Sequence, residues 1–219
     1  MSCKPRPVNE GLFIARNTAT PLRIGAIVLA AGSSSRLGEP KQLIEIDGQP
    51  LVRRAVYAAR NAGAYQIVVV VGAFAESVIA AVGDLTNVAF ALNRDWKSGL
   101  ASSLAVGVAA ARRIRLDGVL VTTTDQPLIA SASLRELIKE FESGHRIVAA
   151  AYNNIVGVPA VFGAEHFDDL MTLEGDEGAG QWLRSRPDEV TTIAIDNASI
   201  DIDTPADVAR LLSHEPTRN

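Results

Sequence analysis

The feature that most constrains this chain is a series of short, almost uninterrupted apolar runs separated by helical patterns. "IGAIVLAA" (Ile24–Ala31), "QIVVVV" (Gln66–Val71), "NVAFAL" (Asn87–Leu92), "GVLVTTT" (Gly118–Thr124) and "RIVAAA" (Arg146–Ala151) are each six to eight residues long. Their alanine and β-branched content, with little polar alternation, suits strands buried on both faces. Helical patterns fall between them. One starts at Pro50, a residue suited to a first helical turn, and stops near Gly63. Others cover Phe74–Val82, Leu100–Ile114 and Ser131–Glu142, the last with Ser131 as an N-cap candidate. Strand and helix alternating in this way predict an α/β fold, a three-layer Rossmann-like arrangement. Its mostly parallel sheet carries helices on both faces and right-handed crossovers. Ligands of such sheets sit at the carboxyl ends of the strands, here directly after Ala31, Val71, Leu92 and Thr124. After Ala151 the pattern changes. "GVPAVF", "GDEGAG" and a late strand "VTTIAI" predict an elaboration that closes over one side.

At 219 residues one domain is expected, over residues 24–213. Residues 1–23 read as a poorly ordered N-terminal extension, whose longest apolar piece, "GLFIA", is too short for a secretory signal core. Lys and Arg number 21 against 25 Asp and Glu, a net charge of −4, so nothing in the overall charge favours nucleic acid or an anionic membrane. Any anion site must be local. A single cysteine, Cys3, allows no disulfide within the chain, and His145, His166 and His214 do not have zinc-site spacing. No stretch reaches the ~18 apolar residues of a membrane span, and a cytoplasmic location is expected.

The first candidate strand runs straight into "LAAGSSSRLGEPK", Leu29 to Lys41. Gly32 and Gly38 permit unusual backbone angles, Ser33, Ser34 and Ser35 are small hydroxyl donors, and Arg36 and Lys41 bring positive charge. Exposed N–H groups in such a turn suit phosphate. The P-loop pattern fails because Glu39 follows Gly38, and the dinucleotide pattern G-x-G-x-x-G fails at Gly32-Ser33-Ser34. On composition alone, a flexible loop with solvated charges is equally open. Asp125 ends a second apolar run in "VTTTDQP", and as a plain turn residue it would need no further role. In "SIDIDTPADV", Asp201 and Asp203 alternate with Ile200 and Ile202, so both carboxylates can face one way along an extended segment. Asp203 or Thr204 could equally cap the helix that follows.

"LAAGSSSRLGEPKQL" resembles the signature of the nucleotidyltransferases, L-A-A-G-x-x-x-R-(M/L)-G-x-x-K, and "PKQL" is most similar to the molybdenum cofactor cytidylyltransferase branch. "NRDWKSGLASSLAVGV", "TTTDQPLI", "GVPAVFG", "GDEGAG" and "DIDTPAD" follow in the family's order, so the resemblance spans Ile24 to Leu212. It implies that Leu29, Ala30, Ala31, Gly32, Ser33, Ser34 and Ser35 form the nucleotide loop. Arg36 and Lys41 would hold the triphosphate, and Gly99 and Ser103 would meet the base. It further implies Asp125 as a ligand of Mg2+, with Asp203 as the second ligand and Asp201 in reserve. Arg36, Lys41 and Asp125 are then the catalytic set. Asn153, Asn154, Gly157 and Asp176 fall in segments that line the acceptor pocket of the family. At G-x-P the chain carries Val158, where the molybdenum cofactor branch often has a histidine. The implied reaction moves a nucleoside monophosphate, CMP from CTP, onto a small phosphorylated acceptor and releases pyrophosphate. The implied acceptor is molybdopterin carrying molybdenum, with a molybdoenzyme as eventual recipient. Two alternatives stand beside it: a sugar phosphate, polyol phosphate or other cofactor precursor as acceptor, and a nucleotide-binding accessory protein without catalysis.

Overall fold

The computed structural model describes residues 21–35 and 37–213. The strands are β1 (Ile24–Ala30), β2 (Glu45–Ile46), β3 (Gln49–Pro50), β4 (Ile67–Val71), β5 (Val88–Leu92), β6 (Gly118–Thr123), β7 (Ile147–Tyr152), β8 (Ile155–Gly163) and β9 (Thr191–Ala194). The helices are α1 (Leu51–Ala62), α2 (Ala75–Val82), α3 (Leu100–Arg113), α4 (Ser131–Glu142), α5 (Phe167–Met171), α6 (Ala179–Arg184) and α7 (Pro205–Ser213). Seven strands form one sheet in the order β5-β4-β1-β6-β8-β7-β9. Its pairs are parallel except where β8 meets β6 and β7. The α/β, Rossmann-like reading of the sequence is therefore what the chain adopts.

The strands alternate their side chains between two cores, as a two-residue period requires. Ile24, Ala26, Val28 and Ala30 of β1 pack with Val52 and Val56 of α1, Val78 of α2 and Leu134 of α4. Ile27 and Leu29 face the other way, onto Leu104 and Val108 of α3, Phe167 of α5 and Trp182 of α6. Both faces of β1 are covered, which is why its sequence is continuously apolar. The edge strand β5, VAFAL, is only partly covered, its residues intermediate or exposed.

Two local readings of the sequence need correction. Ser131 does not cap α4; Ala130 occupies that position, and no side chain makes a capping bond there. Pro50 precedes α1 and closes a small hairpin with β2, which turns through Asp47 and Gly48 at φ 52 and 70. An Asp-Gly pair between short extended segments was the available signal for that hairpin. The region after Ala151 does cover one side: α5 and α6 pack on the α3 face of the sheet, and Gly175 meets Gly99. The sequence reading lacked β8, which inserts between β6 and β7 because Asn153 and Asn154, at φ 46 and 60, make a two-residue turn that brings the chain straight back antiparallel.

At the far end of β8, Arg146 Nη2 donates to Glu165 Oε2 at 2.7 Å. This guanidinium holds the Glu165 carboxyl down to about 2. A depressed acid stabilises the fold above its unfolded pKa of about 4.3, and the benefit disappears as pH falls through the folded value. Glu165→Gln should therefore destabilise at pH 7, by less than about 1 kcal/mol because solvent screens this half-exposed pair. The gap to wild type should close between about pH 4 and pH 2 in denaturant titrations.

Candidate active site

Strand β1 lies between β4 and β6, so the chain order reverses beside it and leaves a crevice beyond the carboxyl ends of β1 and β6. Leu29 pairs with Thr123. The loop after β1 and the Thr124–Asp125 step therefore leave the sheet side by side. Between them opens a cleft of about 460 Å³. Leu29, Ala31, Gly32, Ser33, Ser34, Lys41, Gly99, Ser103, Asp125 and Asp176, all singled out in the sequence, line it.

Lys41 is the centre of charge. Its Nζ donates to Asp203 Oδ1 at 2.7 Å and to Asp125 Oδ2 at 3.4 Å, joining residues 84 and 162 positions apart in the chain. Burial opposes its charged form, but the two carboxylates outweigh that cost and raise the ammonium above the ordinary lysine range. Asp203 is placed here through Ile202. The Ile202 side chain is buried with Ile46 and Leu51, and its N–H donates to the Asp125 carbonyl at 2.8 Å. Asp201 flanks the same cluster. Burial, then the charges of Asp125 and Asp203, push it up to about 6.

This charge balance bears on a divalent cation, which takes hard oxygen ligands where negative charge is in excess. Three carboxylates share one ammonium here, so the donor set fits such an ion on Asp125 and Asp203. Among the described residues, no three His, Cys, Asp or Glu side chains enclose a metal by themselves. Phosphate oxygens and water would complete the coordination, as magnesium usually requires.

Helix capping does not account for Asp203. The N–H and hydroxyl of Thr204 donate to Asp207 Oδ2 at 2.9 and 2.7 Å, and the Asp207 N–H donates back to Thr204 Oγ1 at 3.3 Å. This reciprocal box opens α7. Asp207→Ala should therefore cost about 1 kcal/mol in thermal or chemical unfolding. Asp203→Ala should cost less than that and act instead on the magnesium concentration needed for half-maximal turnover. An unchanged magnesium requirement would remove Asp203 from the ligand set.

On the opposite wall the segment before α3 is tightly built. Gly99 sits at φ 117, and a Cβ there would come within 2.1 Å of the Gly175 carbonyl oxygen. That carbonyl accepts from the Ala101 N–H at 3.1 Å, satisfying one of the open donors of α3. Asp176, the next residue, is thereby held against the Gly99–Ser103 wall. Asn93, 2% exposed, donates to Ser102 Oγ at 2.8 Å and Ser103 Oγ at 3.0 Å, and its Oδ1 accepts from the Asp95 N–H at 2.9 Å. It fixes the Ser103 hydroxyl at the cleft. Sequence reasoning did not single out Asn93, although it directly follows Leu92, at one of the strand ends where ligands were expected.

Gln42 was also missed. It is 2% exposed, and its Nε2 donates to the carbonyls of Ala30 at 3.1 Å and Gly32 at 2.7 Å. Two carbonyl partners assign the amide's orientation. Its Oε1 is buried with no hydrogen-bond partner among the described residues. No periodicity marks Gln42; the available signal was its place in "PKQL", directly after Lys41.

Ala30, Ser35, Asn153, Asn154 and Gly157 do not line the cleft. Ala30 is buried in β1, and Ser35 is exposed. Arg36 lies outside the described residues. Asn153 and Asn154 form the β7–β8 turn, whose positive φ angles account for both residues. Gly157 lies within β8, where a Cβ would meet the Tyr152 hydroxyl at 2.8 Å. Of the four acceptor candidates, Asp176 lines the cleft and the other three do not.

The MobA-like NTP transferase domain matches residues 26–190. The chain belongs to that family. Nicotine blue oxidoreductase of Paenarthrobacter nicotinovorans is 34% identical over 200 residues, 86% of this chain and 96% of that protein. The crystal structure of Rv0371c from Mycobacterium tuberculosis H37Rv superposes with a TM-score of 0.76 at 32% identity, over 89% of this chain and 99% of the other. A manganese complex of Rv0371c superposes with a TM-score of 0.72 at 31% identity, over 88% and 100%. The MobA-like fold is that of nucleotidyltransferases, and its matched span includes the cleft from the loop after β1 through Asp125 to Asp176. Asp203 lies beyond residue 190 and outside the match.

Proposed function

We propose that this MobA-like protein transfers a nucleoside monophosphate, CMP from CTP, to a phosphorylated acceptor and releases pyrophosphate, with molybdopterin carrying molybdenum as the first acceptor to test. The observation that carries the reading is the meeting of Lys41, Asp125 and Asp203 beside the loop after β1. None of the three is needed by the packed core, and together they match what a metal-bound triphosphate requires. Magnesium on Asp125 and Asp203 would neutralise phosphate charge and make the α-phosphorus more electrophilic. Lys41 would add a point charge to the phosphates. The N–H groups of Gly32, Ser33 and Ser34 have no acceptor among the described residues and would be available to the anion. Gly99 backbone and the Ser103 hydroxyl would meet the base. An acceptor phosphate is already anionic near pH 7, so no strong general base is required. Rate enhancement would come from positioning and charge neutralisation. Val158 packs into the α3-side core and supplies no polar group, so a pterin would have to be recognised by other residues.

A second reading follows from the near full-length likeness to nicotine blue oxidoreductase: reduction of a conjugated, dye-like heterocycle in the same cleft. The failed dinucleotide pattern at Gly32-Ser33-Ser34 weighs against a nicotinamide cofactor bound in the usual way. One experiment separates the readings. Purified protein is assayed for pyrophosphate release from each triphosphate with magnesium and molybdopterin or sugar phosphates, and for NADH or NADPH consumption with reducible dyes. Acceptor-dependent pyrophosphate release, greatest with CTP, is expected. Dye-dependent oxidation of the nicotinamide without pyrophosphate release would overturn the transferase assignment. Tight triphosphate binding with neither activity would favour the accessory-protein alternative.

A further inference from the structure

We propose that Gln42 is a positioning residue that sets the loop after β1 to receive phosphate, by holding the Gly32 carbonyl so that the Ser33 N–H is presented to the anion. The proposal rests on the nucleotide reading above and assigns a role within it to a residue outside the signature glycines and cations.

A loop that binds phosphate through its backbone must turn N–H groups towards the anion and keep carbonyl oxygens away from it. In a trans peptide the carbonyl of one residue and the N–H of the next point in opposite directions across a rigid plane. Fixing the Gly32 carbonyl therefore fixes the Ser33 N–H. Gln42 Nε2 does so at 2.7 Å and holds the Ala30 carbonyl, at the end of β1, at 3.1 Å. One amide thus ties the last residue of the strand to the first turn of the loop.

The anchor is itself rigid. Gln42 is the middle residue of a short 3-10 helix, Lys41–Leu43, and is buried to 2% exposure. The Lys41 N–H donates to Ser34 Oγ at 3.0 Å, a second tie between the two ends of the loop. The position of Lys41 and the direction of the Ser33 N–H are therefore set by neighbouring residues of one turn. A glycine allows many orientations of its peptide planes, and without this tie Gly32 would be free to turn its carbonyl towards the phosphates.

The test uses Gln42→Leu and Gln42→Glu in the full chain. Binding of magnesium–CTP, magnesium–pyrophosphate and cytidine is measured by calorimetry at pH 7.5 and 5.5, beside unfolding midpoints. Gln42→Leu should weaken CTP and pyrophosphate by about ten-fold, the loss of one charge-assisted hydrogen bond, and leave cytidine unchanged. Gln42→Glu should be as weak at pH 7.5. It should recover towards wild type at pH 5.5, because a protonated carboxyl regains one O–H donor for the Gly32 carbonyl. Equal losses for cytidine and pyrophosphate, a Gln42→Glu to wild-type ratio that does not change with pH, or affinities within two-fold of wild type in both variants would each overturn the proposal. If wild type itself binds neither CTP nor pyrophosphate, the nucleotide reading fails and this role fails with it. A defect confined to the variants tests Gln42 alone.

Discussion

Asp125→Asn is expected to lower kcat for pyrophosphate release by about two to three orders of magnitude, the usual loss when a group that stabilises transition-state charge is removed. The fold should be almost unaffected. The Asp125 carboxylate is partly exposed, and its side chain pairs with Lys41. Its structural contribution is the backbone carbonyl that accepts from the Ile202 N–H, and this survives in asparagine. Asparagine keeps the shape but not the negative charge, so the cation that it would help to hold loses a ligand. The measurement is turnover with CTP and acceptor across a magnesium titration, alongside a thermal melt. Retention of most magnesium-dependent turnover would remove Asp125 from the chemistry.

Lys41→Ala is expected to weaken CTP and GTP by similar factors, about one to two decades each, because a charged hydrogen bond to phosphate is worth roughly 1.5–3 kcal/mol and carries no information about the base. The ratio of the two affinities should hardly move. A second effect follows from the geometry. Lys41 is the shared cation of Asp125 and Asp203, so its removal leaves two nearby carboxylates without it. The variant should therefore bind magnesium or manganese more tightly than wild type in the absence of nucleotide, even as it binds triphosphate less well. Because its carboxylate partners raise the Lys41 pKa, wild-type triphosphate affinity should show no lysine titration below about pH 10. Calorimetric titration of both triphosphates and of each metal checks these expectations. Unchanged triphosphate affinity would return the loop to a turn with solvated charges.

Much of this was legible from local pattern. Continuous apolar runs signalled strands covered on both faces, and the order of strands and helices directed attention to the residues after Ala31 and Thr124. Those are the strand ends where the cleft lies. The loop after β1 was legible because its glycines, serines and lysine are unusual directly after a buried strand. The capping question at Asp203 was not legible, since Asp203 and Thr204 are equally good caps by type. Only the Thr204–Asp207 box decided it. The turn at Asn153 and Asn154 was not legible either, because asparagine serves binding and left-handed turns equally well.

By itself, the sequence did not mark β8 or the β2–β3 hairpin; it determined the strands β1, β4, β5, β6, β7 and β9, the burial of the central ones on both faces, and that one basic, glycine-rich turn follows the first. These are consequences of side-chain periodicity and backbone preference, which act over a few residues. Tertiary structure alone decided that β8 runs antiparallel inside the sheet and that Asp176 belongs with Gly99. It also decided that Asp203 meets Asp125 across Lys41 and that Gln42 holds the loop. Each of these depends on contacts between residues far apart in the chain or on the direction of one hydrogen bond. Ile202 shows the reason: its burial with Ile46 and Leu51 and its bond to the Asp125 carbonyl carry Asp203 to the site, and no spacing within "DIDTP" encodes that.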